Sequence, residues 1–169
     1  MQCVHRIIPK WCIIAIIIVS SVFVVFSVSN IVIKPISLPE NIKIADSEDY
    51  VFFIDEVTVD EDNIYFSGWI YKKNVSTKRS EIRILLKDDD GKYYFIPTEI
   101  KHRPDVTEYF KAEKESVYGL YDWSGFTSKG KIRFSNLKHG EYDVYALCNF
   151  FSDEEELVSL SRRVKIGKE

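Results

Sequence analysis

Histidine, the side chain that titrates nearest neutral pH, occurs three times, as His5, His102 and His139. None stands in a spacing that pairs it with a serine or cysteine nucleophile. A Gly-rich phosphate loop and an H-E-x-x-H zinc signature do not occur in the sequence. The acidic runs Asp88-Asp89-Asp90 and Glu154-Glu155-Glu156 fall between strand-like segments and read as solvated turns. Asp60-x-Asp62 with Asn63 offers carboxylates to calcium but lacks the central Gly and terminal Glu of an EF-hand loop. Cys3, Cys12 and Cys148 have no metal-ligand spacing. Cys148 is alone in the polar part of the chain and reads as a small buried hydrophobe. Asn74-Val75-Ser76 matches a glycosylation sequon, which acts only in a eukaryotic secretory route. The expectation is a chain with no catalytic residues, no metal ligands and no cofactor: a binding or structural protein rather than an enzyme.

Two groups of residues carry binding chemistry instead. Arg103 and Asp105 lie two apart, with Trp123 and Phe126 further along. The pair reads either as an ion pair locking a crossover loop or as a polar recognition site beside those two aromatic rings. Tyr65, Trp69 and Tyr71 share one face of a strand over residues 64–71, because side chains alternate across a strand. That stripe is either the second packed face of a central strand or an exposed platform that stacks on sugar rings or a partner protein.

Strands must position both groups. Residues 50–59, 64–71, 81–87, 92–97 (or on to 100), 125–135, 142–151 and 157–166 show strand patterning. Over 81–87, for example, Ile82, Ile84 and Leu86 face one way, and Glu81, Arg83 and Lys87 the other. Within 125–135, Ile132 and Phe134 are expected to point inward. Pro104 suits a first helical position and Val106 and Phe110 lie one turn apart, so a short helical turn is predicted near 104–110. Aromatics make up 14% of the chain and favour strands. Seven or eight short strands with turns about every ten residues predict an all-β sandwich.

The sandwich follows an apolar segment. Residues 11–33 run 23 residues without a charge between Lys10 and Lys34. As a helix they reach about 35 Å, against a bilayer core of about 30 Å, so a transmembrane helix is predicted. A cleaved signal peptide is the competing reading. Residues 1–10, with Arg6 and Lys10 and no acid, are expected to be cytoplasmic, which puts the domain outside. Residues 34–49 read as an extended stalk and 50–169 as the domain. Arg6 and Lys10 are two of the 23 cations, so 21 cations face 26 anions in the rest, a net charge of −5. That balance disfavours nucleic acid as a partner.

The unit Leu137-x-x-Gly140-x-Tyr142 resembles the tyrosine corner of immunoglobulin-like and fibronectin-type sandwiches. The resemblance implies that Tyr142 is buried, with its hydroxyl bonded to backbone near residues 136–139. Val144, Ala146 and Cys148 would share its inward face. The cross-sheet cysteine pair of antibody-type domains is missing. More widely, Arg103-Pro104-Asp105-Val106, then Ser124-Gly125-Phe126, then the corner, are similar to a module of bacterial cell-surface polysaccharide and membrane glycosyltransferase-associated proteins. The resemblance implies a membrane-anchored extracytoplasmic binding or accessory module of the cell envelope, held in the plasma (inner) membrane, with the lipid bilayer and a polysaccharide or envelope protein as partners. The alternative is a structural subunit that joins a larger membrane complex through its helix. For that role the span offers small residues only at Ala15, Ser20, Ser21, Ser27 and Ser29, and no GxxxG face.

Overall fold

The computed structural model of the protein describes residues 14, 16–20, 32–111, 120–133, 135–150 and 154–167. The chain divides into two units, Met1–Ile31 and Val32–Glu169. In the first, Ile14 and residues 16–20 are helical, and Ile14, Ile16, Ile17, Ile18 and Val19 are exposed. Among the described residues no helix is long and apolar enough to cross a membrane. Most of the predicted span lies outside the described residues.

The second unit is built from two β-sheets. Ten strands are described: β1 (Lys34–Ile36), β2 (Lys43–Ile44), β3 (Tyr50–Val59), β4 (Asn63–Lys72), β5 (Ser80–Lys87), β6 (Tyr93–Ile96), β7 (Thr98–Lys101), β8 (Gly125–Lys131), β9 (Gly140–Phe150) and β10 (Glu156–Ile166). One sheet has the order β1-β6-β5-β9-β10-β2 and the other β3-β4-β8-β7. A helix, Pro104–Lys111, links β7 to the turn before β8, where Pro104 and the Val106–Phe110 spacing place it. The main core lies between the sheets. Alternation sends Ile64, Phe66 and Ile70 of β4 inward, to meet Ile82, Ile84 and Leu86 of β5 and Val144, Ala146 and Cys148 of β9.

Three strands are additional to the predicted set, β7, β1 and β2, and one, β8, ends earlier than predicted. The run expected over 92–97 or 100 divides at Pro97. There β6 pairs with β5 in the larger sheet, and β7 pairs with β8 in the smaller one. Proline has no N–H to give a ladder, so it suits a residue between two sheets. Thr98 patches the crossing: its hydroxyl donates to the Ile96 carbonyl at 2.7 Å and accepts from the Ile84 N–H at 3.1 Å. The strand expected over 125–135 ends at Lys131 and turns Phe126, Ser128 and Gly130 inward. Ile132 is half-buried against the core, and Phe134 is outside the described residues.

The other two are β1 and β2, inside the expected stalk. They sit on opposite edges of the six-stranded sheet, antiparallel to β6 and parallel to β10. The chain between them straps the sheet's outer face, where Ile36, Leu38 and Ile42 pack over buried Leu85, Leu147 and Leu157. Those leucines neighbour inward-facing Leu86, Cys148 and Val158 in sequence, so three strands are apolar on both faces and require a cover on each. The domain therefore begins at Val32, not at residue 50. Val32 bridges Lys131 and Ile33 enters the main core at 1% exposure. Ile33 packs so closely on Gly130 that a Cβ there would overlap it.

Tyr142 forms the corner bond. It is 2% exposed, and its hydroxyl donates to the Lys138 carbonyl at 2.9 Å. Leu137 packs half-buried against the core. Tyr142→Phe is expected to lower unfolding free energy by about 0.5–1.5 kcal/mol, and Tyr142→Ala by about 3–5 kcal/mol, in denaturant titrations. An alanine variant within about 0.5 kcal/mol of the parent contradicts the corner. A fragment starting at residue 45 loses the strap and exposes three leucines. It is expected to be less stable than one starting at Val32 by on the order of 5 kcal/mol. Equal midpoints for the two fragments would mean that the strap does not hold.

Candidate functional site

The outer face of β4 organises the site. Tyr71 is buried there and stacks on Tyr121 with centroids 3.8 Å apart. Trp69 stacks on Tyr71 at 5.8 Å, and Phe53 of β3 on Trp69 at 6.4 Å. Phe110 of the helix meets Trp69 and Tyr71 edge-on at 5.9 and 5.3 Å. With Val106 the rings of Tyr71, Tyr121, Trp69 and Phe110 form a second, smaller core between the four-stranded sheet and the helix, with Phe53 at its exposed edge. The expected stripe thus separates into roles. Tyr71 is packed, Trp69 is half-covered, and Tyr65, toward the other end of the strand, is half-buried and away from this cluster.

Hydrogen bonds hold the cover in place. The Thr107 hydroxyl, on the helix, accepts from the Tyr121 N–H at 3.1 Å, and the Arg103 N–H donates to the Asp122 carbonyl at 2.6 Å. Buried Thr77, after β4, accepts the Trp123 N–H at 3.0 Å and donates to the Leu120 carbonyl at 3.1 Å. The helix and the turn before β8 are thereby pinned to β4.

What the helix leaves uncovered is a groove of about 560 Å³ lined by Phe52, Phe53, Trp69, Asp105, Val106, Tyr109 and Phe110. Phe53 is 58% exposed and Tyr109 69% exposed. At its rim Arg103 grips two carboxylates. Its Nε and Nη2 donate to Asp105 at 2.8–3.0 Å, and its Nη1 donates to Asp55 Oδ2 at 2.6 Å. The bonds from Arg103 hold the Asp105 carboxyl below the usual carboxylate range, and those to Asp105 and Asp55 raise the guanidinium. The arginine stem lies on Gly125, where a Cβ would overlap it. Asp55 reaches Arg103 from a β-bulge: the β3–β4 register shifts between Ile54 and Glu56, which leaves Asp55 as the extra residue and re-aims it.

The structure thus brings Asp105 and Trp69 into one groove, with Arg103 bound to Asp105 and Tyr71 stacked on Trp69. It places Phe126 in the main core at 1% exposure, on the face away from the groove, so its ring is not beside Arg103. Trp123 is 43% exposed and packs on His102 with centroids 4.8 Å apart, outside the groove lining. Sequence reasoning missed Asp55, Phe52, Phe53 and Tyr109. Adjacent Phe52-Phe53 within a strand was a usable signal, because neighbouring residues face opposite sides and both sides were apolar.

A second cluster of titratable groups joins the sheets. Glu156, 6% exposed at the start of β10, accepts from Lys43 of β2, from the Tyr50 hydroxyl of β3, and from Lys72 of β4 at 2.7 Å. Burial by itself raises its pKa, but the bonds from Lys43, Lys72 and Tyr50 outweigh that and hold it down at about 2. Burial and the Glu156 bond push the Tyr50 hydroxyl up. The carboxylate is fully engaged within the fold. Asp60, in the Asp60-x-Asp62 turn, likewise accepts from the N–H groups of Asp62 and Asn63 at 2.8 and 2.6 Å. Among the described residues no group of three His, Cys, Asp or Glu side chains is placed to hold a metal ion.

Comparison with protein-family models, curated proteins and solved structures finds no match to this chain.

The Glu156 clasp sets an acid limit. Its folded pKa of about 2 lies below its ordinary 4.5, so its contribution is complete above about pH 4.5 and is lost as pH falls toward 2. Denaturant titrations across that window should show a loss on the order of 3 kcal/mol in the parent that is missing in Glu156→Gln, which starts less stable. Identical pH profiles for the two proteins would contradict the clasp.

Proposed function

We propose that the protein is a single-pass, membrane-anchored binding module of the cell envelope. In this reading it displays an immunoglobulin-like sandwich on the extracytoplasmic side of the plasma membrane and engages surface polysaccharide through the aromatic groove. The observation that carries the reading is the groove itself, with exposed Phe53 and Tyr109 rings beside a floor packed from Trp69, Tyr71 and Phe110. Sugar rings present C–H faces that stack on aromatic rings, and an exposed apolar patch with a polar rim marks binding.

Three further features support it. The order β3-β4-β8-β7 corresponds to strands A-B-E-D of an immunoglobulin-like sandwich. The order β6-β5-β9-β10 corresponds to C′-C-F-G, with Tyr142 near the start of the F-equivalent strand. With Val32 and Ile33 taken by the domain, residues 11–31 still rise about 31 Å as a helix, enough for a bilayer core of about 30 Å. Trp69 lies six residues along β4 from Asn63, which pairs with Lys131, the residue that Val32 bridges. The groove is therefore about 20 Å from the point where the chain enters the domain.

The full chain in detergent micelles, applied to a glycan array, is expected to retain a subset of glycans. Tyr109→Ala and Phe53→Ala are expected to weaken that retention about tenfold without altering the unfolding midpoint. Retention of no glycan, or unchanged retention in both variants, overturns the reading.

A further inference from the structure

Resting on the reading of the aromatic groove as a glycan site, we infer that its ligand carries a free amino sugar, whose ammonium meets the Asp105–Asp55 edge while the sugar ring lies on Tyr109 and Phe53. Charge decides this. Among the described residues lining the groove, Asp105 is the charged one. Its side chain is 61% exposed although Arg103 binds it. Arg103 brings one positive charge to two carboxylates, so these three side chains together keep a net negative charge. Among the described residues nothing donates to Asp55 Oδ1, because Arg103 reaches only Oδ2. Asp55 and Asp105 thus offer acceptor capacity and charge to a cationic donor, and the same charge repels a carboxylate or phosphate on a sugar. The aromatic rings add to the preference, since their faces carry the negative end of the ring quadrupole and attract an ammonium group.

The two features act on different parts of one ligand. The ring faces bind a sugar of any charge, whereas the carboxylate edge discriminates among charges. This separation makes the inference testable apart from the reading beneath it. Tryptophan fluorescence of the full chain in micelles would be titrated with three oligosaccharides of equal length: β-linked glucosamine, its N-acetylated counterpart, and a uronate. The titration belongs at about pH 6, where an amine with a pKa near that of an α-amino group is charged.

Glucosamine is expected to bind about fivefold more tightly than the N-acetyl form, with the uronate weakest. The gap should narrow at about 0.5 M salt. Asp105→Asn and, separately, Asp55→Asn should bring the amine and N-acetyl forms close to parity. N-acetyl binding should fall less than amine binding in both variants, and their unfolding midpoints report whether each one folds. Uronate binding as tight as the amine, or a preference for the amine that survives both substitutions, overturns the amino-sugar inference and leaves the groove a glycan site. Failure of the parent protein to bind any of the three overturns the amino-sugar inference, and retention of no glycan on the array overturns the reading beneath it as well.

Discussion

A carboxylate taken out of water must be compensated by charge and hydrogen bonds, and Glu156 is compensated from three strands at once. Lys43 comes from the strand that ends the strap, and Tyr50 and Lys72 from the facing sheet. The same carboxylate therefore fixes where the strap finishes and where the two sheets register at that end. Its desolvation is tolerable only while all three donors stay in place. Removing one leaves a buried charge short of partners, which is more damaging than deleting an apolar contact.

Above that clasp the architecture follows from strands with two apolar faces. The six-stranded sheet buries one face against its partner sheet and the other under residues 36–42. The four-stranded sheet meets the same demand with the helix Pro104–Lys111 and the turn before β8. Eight helical residues span only about 12 Å, too little to cover the outer face of β3 as well as β4. Phe53 and part of Trp69 stay open for that reason, and the groove is the remainder of an incomplete cover.

The groove's parts differ in rigidity of support. Its floor is fixed by ring stacking, by the Tyr121 N–H donating to the Thr107 hydroxyl and by the Thr77 hydroxyl donating to the Leu120 carbonyl. Its rim is an arginine held from two directions on a glycine-lined bed, with one of its partners delivered by a β-bulge. A preformed floor with a polar edge suits recognition, because little ordering entropy remains to be lost on binding.

Much of this domain was legible in the residues alone. Period-two alternation located β3, β4, β5, β9 and β10, Pro104 and the Val106–Phe110 spacing located the helix, and Leu137-x-x-Gly140-x-Tyr142 located the corner bond. Each of these signals is local, set by neighbours within a strand, a turn or a helix. The tertiary structure decided what is not local. Alternation defines two faces of a strand without saying what covers either, so Phe126 turned out to be core and Tyr71 to be packed under a helix more than thirty residues away. Two prolines made residues 34–49 look like a stalk, yet edge pairing with β6 and β10 drew them into the sheet. Asp55 reached Arg103 through a bulge that appears only when β3 meets β4, because register is a property of a strand pair and not of either strand alone.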